Sequence, residues 1–156
     1  MRSFALFAVL LAACPKPAEP TKPAPPPDPD AKVVEHTWQV VDHLRVKGAS
    51  VATADANAFN GRTVVVLPDG FASPWQPACE HAKREKRQRG LTELFSELEI
   101  VDGGATKAAS FGMTSDILEF RLTCRERGTP LIVWVGGKHA MTCFSGVCYL
   151  MKRFED

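Results

Sequence analysis

The reactive side chains of this chain are its five cysteines and four histidines. Cys79 opens the run Cys79-Glu80-His81-Ala82-Lys83. At a helix start, with an imidazole and an ammonium within one turn, a thiol falls below its free pKa of about 8.5 and becomes a nucleophile. A complete exchange cycle also needs a second, resolving thiol. Cys143 and Cys148 flank Phe144-Ser145-Gly146-Val147. A turn at Ser145-Gly146 sets them opposite one another, across a hairpin or from a strand end to a helix start. Cys79, His81, Cys143 and Cys148 fit no standard zinc spacing, so no metal site is expected. His36, His43 and His139 lack partners at ligand or triad spacing and read as surface or half-buried groups. No Ser-His-Asp set, phosphate-cradling glycine loop or carboxylate pair is present, and no cofactor is expected.

Charge narrows the partners. The 19 Lys and Arg nearly balance 18 Asp and Glu, a net charge of +1, and no single-sign field recruits nucleic acid. The densest basic run, Lys83-Arg84-Glu85-Lys86-Arg87-Gln88-Arg89, reads as a solvated helix face. Its functional alternative is contact with anionic headgroups, lipopolysaccharide or an acidic partner.

Three compositions are joined end to end. Met1-Arg2-Ser3 and the ten-residue apolar run Phe4 to Ala13 have the layout of a secretory signal peptide. That run is too short to span a bilayer, which needs about 20 residues. It ends in Leu11-Ala12-Ala13-Cys14, which resembles the lipobox of bacterial lipoproteins. The resemblance implies cleavage before Cys14, a thioether diacylglycerol on its sulfur and an N-acyl chain such as palmitate. Two or more chains anchor stably where one does not. By the same resemblance, Pro15 in place of Asp points to outer-membrane sorting, facing the periplasm or the cell surface, with an envelope protein as the expected partner. Residues 14–30 form the lipidated cysteine and linker: eight of the 12 prolines lie between Pro15 and Pro29. Such a tract buries no core and extends as a disordered, polyproline-like spacer.

Residues 31–156 are the size of one domain. With Cys14 lipidated, Cys79, Cys124, Cys143 and Cys148 remain, an even number in an oxidising compartment. The pair Cys143–Cys148 is favoured by its spacing, and Cys79–Cys124 follows by elimination.

The elements that would position these groups are read from periodicity. Val33 to Val46 places Val34, Trp38, Val41 and Leu44 at helical spacing, although its valines suit a strand equally. Thr63 to Leu67 and Leu131 to Val135 are apolar runs of buried strands. Pro77 to Leu98 reads as a helix interrupted near Gly90, with Leu91, Leu94, Phe95 and Leu98 as its stripe. Leu98 to Val101 suggests a short strand. Ser115-Asp116 suggests the cap of a helix to about Arg127, stopped by Gly128. Gly136-Gly137-Lys138 turns into a strand from His139 to Phe144, and Val147 to Phe154 reads as a closing helix.

Two stretches then resemble thioredoxin-like proteins. Phe59-Asn60-Gly61-Arg62-Thr63-Val64-Val65-Val66-Leu67 with Phe71-Ala72-Ser73-Pro74-Trp75-Gln76-Pro77-Ala78-Cys79 resembles the turn, central strand and redox-helix start of that family. Arg127-Gly128-Thr129-Pro130-Leu131-Ile132-Val133 looks like the strand start that carries the family's cis-proline, and Phe144-Ser145-Gly146 is a weaker echo. The resemblance implies an α/β fold, a three-layer α/β/α sandwich with a terminal β-hairpin, and Pro130 in the cis form. It also implies a degenerate redox motif. With Trp75 in register, Gln76 replaces the nucleophile and Cys79 is the resolver; with Cys79 as nucleophile, Ala82 replaces the resolver. The expected function is a non-catalytic binding or assembly module, with a monothiol redox protein or chaperone acting through Cys79 as the alternative.

Overall fold

The computed structural model describes residues 29–49, 51–101, 103–125 and 129–154. The signal segment, Cys14, most of the proline tract and Gly128 lie outside the described residues. A short helix α1 (Ala31–Val34) precedes strand β1 (Thr37–Arg45). Trp38 and Val40 alternate with Gln39 and bury one face of β1. The register then shifts between Val40 and Asp42, leaving Val41 unpaired as a bulge, and Leu44 is buried on the opposite face. Helix α2 (Thr53–Asn57) and a turn at Gly61 lead into β2 (Thr63–Leu67), the strand expected from its β-branched run. Then come β3 (Gly70–Ser73), β4 (Gln76–Cys79), β5 (Ala82–Gly90), α3 (Leu91–Glu97), α4 (Gly104–Phe111), β6 (Asp116–Cys124), β7 (Leu131–Gly136), β8 (His139–Phe144) and β9 (Val147–Arg153). Ile100, in the expected short strand, makes one bridge, to Val46.

The strands form one sheet in the order β4-β3-β2-β1-β9-β8-β7-β6-β5, every pairing antiparallel. The sheet curls into a nearly closed barrel, which overturns the expected thioredoxin-like α/β/α sandwich. Three segments read as helices are strands. Residues 76–90 form β4 and β5, residues 116–124 form β6, and residues 147–153 form β9. The alternation Leu118, Phe120, Leu122, Cys124 puts one face of β6 into the barrel, and this period of two outweighs the helical spacing of Ile117, Phe120 and Cys124. No cis peptide bond occurs among the described residues, so Thr129–Pro130 is trans and Pro130 is not a cis-proline.

Two cores result, one inside the barrel and one outside. Strand β9 divides its side chains strictly between them: Val147, Tyr149 and Met151 enter the interior, whereas Cys148 and Leu150 join the outer core. A strand buried on both faces is a continuous apolar run, which explains why Val147 to Met151 showed no alternation. Leu91, Leu94 and Phe95 of α3, with Ala108 of α4, cover the outer core over Trp134, Met141 and Leu150. The leucine stripe thus belongs to a real helix, but one that begins at Leu91. Inside, Val34 of α1 is fully buried, and the Trp38 indole Nε1 donates to its carbonyl at 3.0 Å. At the opposite end of β8 and β9, Trp75 stacks on Tyr149 with ring centres 4.8 Å apart and meets Phe59 edge-on. Both ends of the barrel are therefore packed.

The seam between the sheet edges is held mostly by side chains. The Arg84 guanidinium of β5 pairs with Glu35 at 2.6 Å and donates to the carbonyls of Leu67 and Pro68 at 2.8 and 3.1 Å. One backbone bond, from Ala82 N–H to Asp69 O at 2.8 Å, crosses the same gap. The Cys79–Cys124 disulfide ties β4 to β6 across it.

Candidate functional site

All four cysteines of residues 31–156 are joined in disulfides. Cys79–Cys124 has a Cα–Cα separation of 5.8 Å, and Cys143–Cys148 one of 3.9 Å. The second pair sits in register across β8 and β9 because Ser145 and Gly146 both take positive φ, 49° and 80°, the geometry of a tight primed hairpin turn. Cys79 ends a strand instead of opening a helix. His81 is exposed, and Lys83 pairs with Glu85 at 2.7 Å. In this state Cys79 presents no thiolate for His81 or Lys83 to stabilise. Among the described residues no group of three His, Cys, Asp or Glu side chains is arranged to hold a metal ion.

The basic run Lys83 to Arg89 lies on β5 at the sheet edge, not on a helix, and its charge is largely answered within the molecule. Lys86 pairs with Asp30 at 2.9 Å. Arg87 grips Glu119 in a bidentate contact, at 2.8 and 3.1 Å. Arg89 pairs with Glu97, with Glu93 at 3.4 Å and with Glu119 at 3.5 Å. Charged residues on a strand edge also discourage pairing with another chain.

A second basic cluster has no carboxylate partner among the described residues. Gln39 of β1, Lys152 of β9 and His139 of β8 stand side by side in register on the outer face. With Lys138 of the β7–β8 turn, Arg153 and Phe154 they line a pocket of about 530 Å³ at the α1 end of the barrel. Among the described residues no carboxylate forms an ion pair with Lys138, Lys152 or Arg153. The Arg153 guanidinium lies 5.8 Å from the centre of the Trp38 ring, and its buried Nε has no hydrogen-bond partner. His139 Nδ1 is 3.2 Å from the Gly112 carbonyl, and the ring meets Phe111 edge-on at 4.6 Å. Gly112 holds φ 103°, and a side chain there would collide with the His139 ring. The positive field is felt nearby: burial and then the Arg153 charge push the His36 imidazole below its ordinary 6.5.

Sequence reasoning placed the cysteine pairs and named His139, but it passed over Gln39, Lys138, Lys152 and Arg153. They are spread along the chain among ordinary residues, and only strand register brings them together. Among the described residues no helix is long and apolar enough to cross a membrane. No protein-family model, curated protein or solved structure gives a significant match to this chain.

Proposed function

We propose that this chain is an exported, lipid-anchored protein of the bacterial cell envelope whose barrel is a non-catalytic binding or assembly module. The observation that carries the non-catalytic reading is the engagement of Cys79, Cys124, Cys143 and Cys148 in two disulfides. Thiol exchange needs a free thiolate. Paired cysteines also agree with an oxidising compartment outside the cytosol. The anchor rests on Leu11-Ala12-Ala13-Cys14 after its apolar run, and the proline tract behind it supplies the spacer. At about 3.1 Å per residue, Pro15 to Asp30 reaches roughly 50 Å from the headgroups.

Wild-type chain should incorporate labelled fatty acid and fractionate with membranes, and Cys14→Ser should do neither. A variant that still fractionates with membranes, beside a wild type that takes up no label, would defeat the anchor. Alkylation of the native protein without reduction should leave its mass unchanged. Two modified cysteines that include Cys79 would return the protein to the redox class.

A further inference from the structure

We propose that the pocket lined by Gln39, Lys138, His139, Lys152 and Arg153 binds the phosphate group of a phosphate-bearing ligand. Neighbouring strands lie about 4.8 Å apart, so the outward side chains of a register row converge on one small volume. Lys152 occupies the centre of such a row, between Gln39 and His139, and Lys138 closes it at the rim. Gathering like charges destabilises a fold unless counter-charge arrives. Along β5 that counter-charge is internal. Here none is supplied by the described residues.

The donor set suits a phosphate oxyanion. The two ammonium groups provide several charge-assisted donors, and the Gln39 amide adds a neutral one; the Arg153 guanidinium lies over Trp38 on the other face of β9 and adds positive field instead of a direct contact. The contact between His139 Nδ1 and the Gly112 carbonyl fixes the ring beside the row. A bare phosphate would not fill about 530 Å³. Phe154, 45% exposed beside the cations, offers an apolar wall to the rest of a larger molecule. This inference deepens the binding-module reading and is separable from it, because the anchor is tested at Cys14 and the pocket at Lys138, Lys152 and Gln39.

The test uses the full chain carrying Cys14→Ser, so that no acyl group confounds it. Calorimetry with inorganic phosphate against a constant chloride background reads the bare anion. Co-sedimentation with vesicles of phosphatidylglycerol or of phosphatidylcholine reads a lipid headgroup. Binding should weaken about tenfold or more in Lys138→Gln/Lys152→Gln, and Gln39→Glu, which sets a carboxylate in the row, should abolish it. Lys47→Gln/Lys83→Gln, elsewhere on the surface, should bind as the parent does. Phosphate binding without vesicle binding identifies a soluble ligand, and preference for phosphatidylglycerol lost in the double variant identifies a headgroup; either upholds the site. The proposal fails if neither probe binds above the chloride background, or if the pocket variants bind like the parent. It fails equally if phosphate binds only after Glu155 and Asp156 are removed, since the pocket would then serve the chain's own acidic end.

Discussion

Glu119 is the most heavily engaged side chain on the outer face of the barrel. Only 4% of it is exposed, yet it accepts two hydrogen bonds from Arg87 and one from the Trp134 indole at 2.8 Å, with Arg89 beside it at 3.5 Å. Burial alone would raise its carboxyl pKa, but the Arg87 and Trp134 donors and the nearby guanidinium charges outweigh it and hold the group below 4.5. A hydrogen bond from Arg89 likewise lowers Glu97. The folded state therefore favours the ionised carboxylates. Their stabilisation is complete above pH 4.5 and is lost as pH falls through the lowered folded values. Glu119→Ala should destabilise the protein by about 3 kcal/mol, because it strands the Trp134 N–H and leaves the 6%-exposed Arg89 with less counter-charge. Urea unfolding at pH 7 measures that loss. Repeating it down to pH 3 should show a shallower acid decline in Glu119→Gln than in wild type.

The two disulfides fasten different pairs of elements, and the loops they close differ in length. Cys143–Cys148 joins β8 to β9, which already share a six-pair ladder and a tight turn, with a sequence separation of 5. Cys79–Cys124 spans a separation of 45 and crosses the seam, where the ladder is interrupted. In the chain-entropy model the longer loop is worth about 4 kcal/mol and the shorter about 2 kcal/mol. Cys79→Ala/Cys124→Ala should accordingly lower the denaturation midpoint roughly twice as far as Cys143→Ala/Cys148→Ala. Hydrogen exchange should also accelerate first in β4 and β5, the strands at the seam. Equal losses, or faster exchange confined to β8 and β9, would show that the barrel closes without the long staple.

At the scale of the whole molecule the barrel is one sheet whose edges meet at a seam that the Cys79–Cys124 disulfide crosses. A domain of this size has a net stability of about 5–15 kcal/mol, of which two staples supply a large share. Reduction with dithiothreitol should therefore unfold much of the population near 37 °C, with loss of near-ultraviolet circular dichroism from the packed Trp38, Trp75 and Trp134. Oxidised protein should retain that signal. A reduced form that melts within a few degrees of the oxidised one would place the stability in the two apolar cores instead.

The sequence by itself determined the features that consecutive residues encode. The strands of Thr63–Leu67 and Leu131–Val135 follow from β-branched runs, the β8–β9 turn from Ser145-Gly146, and the Cys143–Cys148 bond from the short turn between its partners. The Leu91, Leu94, Phe95 stripe marked a helix for the same reason, since its period is local. Only the tertiary structure decided the rest. Lys83 to Arg89 has the composition of a solvated helix but becomes a strand because β6 supplies a nine-residue ladder and Glu119, Glu97 and Asp30 supply counter-charge from elsewhere. Val147 to Met151 lacked alternation because two cores claim its two faces. Gln39, Lys138, Lys152 and Arg153 become neighbours through the pairing of β1, β9 and β8, and a shift of one residue in that register would send Gln39 or Lys152 to the opposite face. Local propensity is carried along the chain, whereas register and closure are carried by contacts between distant residues, and those contacts exist only once the barrel has formed.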